Sequence, residues 1–241
     1  MQLSIIIPAW NEEKLLPATL AAVQAAIPGL TKSRIACELI ICDNNSTDRT
    51  ADIARAAGAE VVFEPVNQIS RARNTGALKA SGDWLLFIDA DSTPSPELFS
   101  ELAGVLRDDS VLYGGCALQM EEVKPGVRAV LKFWHWIARR RQWAAGSFLF
   151  VRRESFAASG GFSTELYASE EIEFSTRLGK LAKETGRRFV FLTAYPLVTS
   201  ARKLRTHGTW YHVRFVLRTL LTGTRNLRRR EACGLWYDGK R

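Results

Sequence analysis

Gly82-Asp83-Trp84-Leu85-Leu86-Phe87-Ile88-Asp89-Ala90-Asp91 decides how this chain is read. Five apolar residues in a row, Trp84 to Ile88, are what a strand looks like when both of its faces are covered, and this one runs straight into two carboxylates. Toward the N-terminus the same kind of run recurs at Leu3-Ser4-Ile5-Ile6-Ile7, Glu38-Leu39-Ile40-Ile41-Cys42 and Val61-Val62-Phe63. Helical patterns separate the runs. One covers about residues 13–26, with Leu16, Leu20 and Val23 on a single stripe, and another covers about 70–80. Ser46-Thr47-Asp48 offers N-cap oxygens to the helix after the second strand, and Pro94-Ser95-Pro96-Glu97 opens the helix after the fourth. The alternation predicts an α/β, doubly wound sheet flanked by helices.

Beyond residue 105 the rhythm loosens. Strands are expected at 111–118, 148–151 and 189–192, and a helix at 170–182. No linker or repeat interrupts the chain, so one domain is expected over residues 1–200. A basic extension is expected over 201–241.

Ligands of such sheets sit beyond the carboxyl ends of the strands. Polar residues gather there: Asn11-Glu12 after the first strand, Asp43-Asn44-Asn45 after the second, Asp89 and Asp91 after the fourth. Two carboxylates so close repel each other unless a cation lies between them. A hard divalent ion, Mg²⁺ or Mn²⁺, relieves that repulsion and can hold substrate phosphates at the same time. The other reading of the pair, two solvated loop acids, leaves its delivery by so apolar a strand unexplained.

The composition narrows the classes. The chain has 241 residues, 46% hydrophobic and 24% charged, which is ordinary globular usage. Three histidines without HExxH exclude a zinc protease, and GxxxxGK[ST], a glycine-rich dinucleotide turn and GxSxG are all missing. Cys37, Cys42, Cys116 and Cys233 show no metal-ligand spacing and read as reduced thiols of a cytoplasmic protein. No apolar run spans a bilayer, and no secretion signal is recognisable. The net charge of +8 is unevenly spread: residues 200–241 hold 11 Lys and Arg against Glu231 and Asp238, +9, and the rest of the chain is −1.

Five stretches together resemble the inverting family 2 glycosyltransferases of the GT-A fold. These are Ile5-Ile6-Ile7-Pro8-Ala9-Trp10-Asn11-Glu12, Ile40-Ile41-Cys42-Asp43-Asn44-Asn45-Ser46-Thr47-Asp48, Ala72-Arg73-Asn74-Thr75-Gly76, the stretch from Gly82 to Asp91, and a later group. The later group is Gly146-Ser147-Phe148-Leu149-Phe150-Val151-Arg152 with Gly160-Gly161-Phe162 and Ser169-Glu170-Glu171-Ile172-Glu173-Phe174. The likeness covers roughly residues 3–200 and implies a nucleotide-binding half over 1–105 and an acceptor half over 106–200. It implies transfer of a sugar from a nucleoside diphosphate donor, UDP or GDP linked, to a sugar, lipid or lipid-phosphate acceptor. By position it implies that Pro8, Glu12 and Asp43 hold the nucleoside, with Arg73 beside it. It further implies that Asp91 ligates the metal, with Asp89 near the ribose and phosphate.

Inversion by single displacement needs a base for an acceptor hydroxyl. Where the family has Glu-Asp this chain has Glu170-Glu171, and Glu171 takes the aspartate's place, with Glu170 the fallback. Both also suit the start of a helix, where negative charge is favoured. His207 is a candidate third metal ligand, and Arg202 and Arg205 are candidate diphosphate partners through their forked guanidinium groups. His135 and His212 fall in helical patterns and are expected to be structural.

Two amphipathic stretches, Val130 to Ile137 ending in Arg139-Arg140-Arg141, and Trp210 to Leu221 ahead of Arg228-Arg229-Arg230, have two readings. They either meet the inner face of a membrane or pack against the sheet or a second subunit in a homodimer. Two other classes share some features. A nucleotidyltransferase would need a glycine-rich basic loop where Ile7-Pro8-Ala9-Trp10-Asn11-Glu12 stands. A nucleic-acid binder would leave the acidic crevice without a purpose, so no nucleic acid is expected as a partner.

Overall fold

A computed structural model describes residues 1–120, 125–200 and 223–237. Among the described residues eight strands form one mixed sheet: β1 (Gln2–Ala9), β2 (Ala36–Asp43), β3 (Glu60–Phe63), β4 (Trp84–Ile88), β5 (Ser92–Thr93), β6 (Val111–Met120), β7 (Phe148–Arg152) and β8 (Arg188–Thr199). Their order is β3-β2-β1-β4-β7-β6-β8-β5. The first four strands in the chain are mutually parallel, with Ile6 opposite Ile40 and Phe87, while β7 enters antiparallel between β4 and β6. The loosening of the rhythm after residue 105 is this change from parallel to mixed pairing.

The helices are α1 (Leu16–Thr31), α2 (Thr50–Ala56), α3 (Ile69–Lys79), α4 (Pro96–Leu106), α5 (Pro125–Arg141), α6 (Arg153–Ala158) and α7 (Glu170–Glu184). Alternate residues of each strand enter different cores. Leu3, Ile5, Ile7, Trp84, Leu86 and Ile88 pack with Leu20 and Val23 of α1 and Phe99 and Leu102 of α4. On the opposite face Ile6, Leu85, Phe87 and Leu149 pack with Ala77 of α3 and Phe174 and Leu178 of α7.

Several expectations shift in detail. Helix α1 starts three residues later and runs on through Pro28 to Thr31. The helix after β2 does not use the Ser46-Thr47-Asp48 stretch as its N-cap. Arg49 occupies that position without a side-chain cap, while the Asp48 carboxylate accepts from the Thr50 amide at 3.0 Å and from the Glu13 amide at 3.1 Å. Asp48 thus ties two loops together rather than ending one helix. Strand β8 continues seven residues past Leu192, because a bulge around Thr193–Pro196 restores its pairing with β6 at Leu197. The four cysteines are free thiols.

The segment 223–237 forms two 3-10 turns and a short helix. It packs Leu227 and Cys233 against Leu166 and Ala168. The expected helical tail between residues 201 and 222, with His207, His212, Arg202 and Arg205, lies outside the described residues.

Candidate active site

The Asp89-Ala90-Asp91 turn is fixed from three directions. Ser92 donates its amide to the Asp89 carbonyl at 3.2 Å, Thr19 of α1 donates its hydroxyl to the Ala90 carbonyl at 2.8 Å, and Ser200 donates its amide to the Asp91 carbonyl at 3.1 Å. The backbone is held so that both carboxylates border two adjoining hollows. One is a cleft lined by Pro8, Trp10, Glu12, Asn44, Ile69 and Tyr237 along with the aspartates. The other is a cavity shared with Arg73, Trp134, Ser147, Ser169, Glu170 and Glu171.

Helix α3 supplies the link between them. The Arg73 side chain is buried, and its guanidinium donates to Glu170 Oε1 at 2.6 Å and to Asp89 Oδ1 at 3.0 Å. Burial opposes its charge, but Asp89, Glu170 and Glu171 outweigh burial and hold its pKa above the usual range. Gly146 gives this guanidinium room: a Cβ there would stand 2.4 Å from an Arg73 terminal nitrogen. The next residue, Asn74, exchanges two bonds with the backbone of Phe162, at 2.8 and 2.9 Å. Two turns of sequence that look unrelated, Ala72-Arg73-Asn74 and Gly160-Gly161-Phe162, are therefore one contact.

Ser169 adopts a left-handed conformation, φ 59°, where a non-glycine residue is strained, immediately before the two glutamates. The helix that follows places Glu170 on Arg73 and leaves Glu171 bordering the cavity, partly accessible. Desolvation by the surrounding protein, then the negative charge of Glu170, push the Glu171 pKa up to about 8, against the opposing pull of Arg73. A carboxyl with such a value lies close to the working range of a general base.

Four carboxylates and one guanidinium line the cavity, an excess of negative charge that favours a cation. Among the described residues no group of three or more His, Cys, Asp or Glu side chains could hold a metal ion. Asp89 and Asp91 offer hard oxygen atoms of the kind that fit Mg²⁺ or Mn²⁺ where substrate phosphates complete the shell. His207, Arg202 and Arg205 lie outside the described residues.

The other sequence candidates fall as follows. Pro8 and Glu12 line the cleft, and the Glu12 amide donates to Thr50 Oγ1 at 2.8 Å. Asp43 ends β2 nearby, but it is its neighbour Asn44 that borders the cleft; Asp43 Oδ1 accepts from the Ser46 amide at 3.1 Å. Arg73 is buried and bridges Asp89 and Glu170. His135 is structural, its Nε2 accepting the Leu118 amide at 2.9 Å.

Sequence reasoning missed Tyr237, whose hydroxyl accepts the Ile69 amide at 3.3 Å at the cleft wall, and Trp134, which walls the cavity. No motif marks either. The Tyr237 contact spans 168 positions of chain.

A family model described as "Glycosyl transferase family 2" matches residues 4–156. An uncharacterized glycosyltransferase of Mycobacterium tuberculosis is 38% identical over 103 residues, which is 41% of this chain and 43% of that protein. The chain thus matches less than half the length of that relative. Among solved structures, the mannosyltransferase PcManGT from Pyrobaculum calidifontis, in complex with GDP-Man and Mn²⁺, superposes with a TM-score of 0.69 at 18% identity, covering 96% of this chain and 64% of its own. Glucosyl-3-phosphoglycerate synthase from Mycobacterium tuberculosis, with Mn²⁺, UDP and glucosyl-3-phosphoglycerate, gives 0.64 at 23% identity, over 92% and 80%. At these identities the likeness is one of fold, and it is the GT-A fold that the sequence resemblance implied.

Proposed function

Because the chain belongs to glycosyl transferase family 2, we propose that it moves a sugar from a nucleoside diphosphate donor to an acceptor hydroxyl or lipid phosphate, with inversion at the anomeric carbon. The observation that carries this reading is the convergence of Asp89, Asp91, Arg73, Glu170 and Glu171 on one cavity beyond the carboxyl ends of the parallel strands. The GDP and UDP of the two structural relatives support UDP or GDP as the nucleotide, and their Mn²⁺ supports a divalent ion.

In this reading Pro8 and Glu12 receive the nucleoside, with Asp43 behind them, and Asp89 lies toward ribose and phosphate. Asp91, with Asp89, would hold Mg²⁺ or Mn²⁺. Such an ion, when bound, supplies Lewis-acid neutralisation of the departing diphosphate. Arg73 is a positioning residue: it fixes the carboxylates of Asp89 and Glu170 relative to each other. The acceptor oxygen attacks the anomeric carbon as the bond from that carbon to the diphosphate oxygen breaks. Glu171 takes the proton of the hydroxyl, and the nucleoside diphosphate leaves with the bonding pair. A phosphate acceptor arrives already ionised and gives Glu171 no proton to take, so the two acceptor classes make different demands on this residue.

Thermal shift with UDP and GDP, with and without Mn²⁺, tests the donor half of the reading. Stabilisation that needs both nucleotide and metal, and that disappears in Asp91→Ala, is the expected result. A folded protein that responds to no nucleoside diphosphate refutes it. Hydrolysis across a panel of nucleotide sugars then identifies the donor.

A further inference from the structure

Helix α5 has two apolar sides, and the fold uses one. The inner side carries Ala138, which is buried, and Trp134, which walls the cavity beside Asp91 and Glu171. The outer side presents Val130, Phe133 and Trp136, which are 67%, 62% and 57% exposed and lie three residues apart along one stripe. The Phe133 and Trp136 rings stack with centroids 5.9 Å apart, and the Arg140 guanidinium lies 5.8 Å from the Trp136 centroid. The helix sequence Pro125–Arg141 contains Arg128, Lys132, Arg139, Arg140 and Arg141 and no acidic residue, a charge of +5. Beside it a groove is lined by Lys132, His135, Arg139, Arg140 and Phe191.

We infer that the outer face of α5 docks on an anionic lipid bilayer. Aromatic rings flanked by arginines suit the boundary between headgroups and acyl chains, where the rings leave water and the cations meet lipid phosphates. The single sign of charge decides among occupants. A second copy meeting this face across a two-fold axis would set +5 against +5. The chain's own residues 201–222 contain five Lys and Arg and no acid, so they cannot neutralise it either. Anionic headgroups complement both the charge and the apolar stripe. Because the inner side of the same helix walls the cavity, a lipid-linked acceptor reaches Glu171 without leaving the membrane surface. That consequence rests on the proposed transferase reading; the docking itself does not.

Co-sedimentation of the full chain with phosphatidylcholine vesicles, with and without phosphatidylglycerol, tests the inference. Wild type is expected to pellet with the anionic vesicles and to be released by salt. Phe133→Ser/Trp136→Ser and Arg139→Glu/Arg140→Glu are each expected to lower partitioning by at least roughly tenfold. Both keep the wild-type circular dichroism melt, since the changed side chains lie outside the core, and both keep the Mn²⁺-dependent nucleotide shift. Failure of wild type to pellet, or pelleting of both variants at the wild-type level, overturns the inference. So does a wild-type dimer that Phe133→Ser/Trp136→Ser converts to a monomer, because the face is then an interface between copies. Pelleting without any nucleotide shift leaves the docking standing and refutes the donor reading instead.

Discussion

Glu171→Gln is expected to make the protein more stable while removing transfer to hydroxyl acceptors. The Glu171 carboxyl has a folded pKa raised to about 8 from an ordinary value of 4.5. Between those values the folded chain keeps a proton that the unfolded chain has released, so stability falls as pH rises through this window, and above pH 8 the full penalty stands. A tenfold change in proton affinity corresponds to about 1.36 kcal/mol, which puts the ceiling near 5 kcal/mol. Partial access to water brings the expectation to ~2–4 kcal/mol. Glutamine occupies the same space and never ionises. The variant should therefore match wild type near pH 4.5 and exceed it increasingly up to pH 9. At roughly 2–4 °C per kcal/mol for a chain of this size, the gap in Tm at pH 9 is about 5–15 °C. The assay is a pair of thermal melts in chelator at pH 5, 7 and 9, alongside transfer to a hydroxyl acceptor. The chelator matters because positive charge at Asp89 and Asp91 lowers the Glu171 pKa and shrinks the gap. A Tm difference that is the same at pH 5 and pH 9 refutes the reasoning. Full transfer by the glutamine variant to a hydroxyl acceptor refutes Glu171 as the base.

Other substitutions probe the scaffold of the site. Arg73→Met removes the guanidinium from between Asp89 and Glu170 and should cost on the order of 3–5 kcal/mol in urea unfolding. Adding Glu170→Gln should recover part of that loss, and a double-mutant cycle reads the recovery. Gly146→Ala puts a methyl into the Arg73 guanidinium; about 1–3 kcal/mol of stability and much of the donor-dependent thermal shift should be lost. Asn74→Ala leaves the Phe162 amide and carbonyl without their partners, and its denaturation midpoint should fall by the equivalent of about 1–3 kcal/mol. Wild-type stability in this last variant would mean that water replaces both bonds.

The strands were legible where covering on both faces makes the sequence uniformly apolar: β4 occupies the five residues read from it. Legibility ended where backbone geometry overrides residue type. The end of β8 is interrupted by Thr193–Pro196, whose bulge no alternation announces. The turn after β2 has capping residues in the wrong frame, because Asp48 answers to Glu13 as well as to Thr50. In the site, the carboxylates stand out because acids at the ends of apolar strands have no packing reason to be there. The bridging role of Arg73 was invisible, since its partners lie 16 and 97 positions away and an arginine in a helix ordinarily points to water. Tyr237 escaped for a similar reason, its contact with Ile69 spanning 168 positions, while Trp134 lies in an amphipathic stretch with two readings.

Adjacent residues of α3 also join the two portions of the chain that the sequence distinguishes. Arg73 holds Glu170, and Asn74 holds the Phe162 backbone, while β7 is inserted between β4 and β6. The seam between residues 1–105 and 106–200 is thus stitched by side chains from the first portion and by a strand from the second. A hybrid made by grafting a relative's second portion after residue 105 would therefore have to bring a matching glycine at 146, backbone at 162 and carboxylate at 170. Only a graft that keeps those three positions retains the Arg73 and Asn74 contacts, which makes the seam a rule for recombination as well as a feature of one fold.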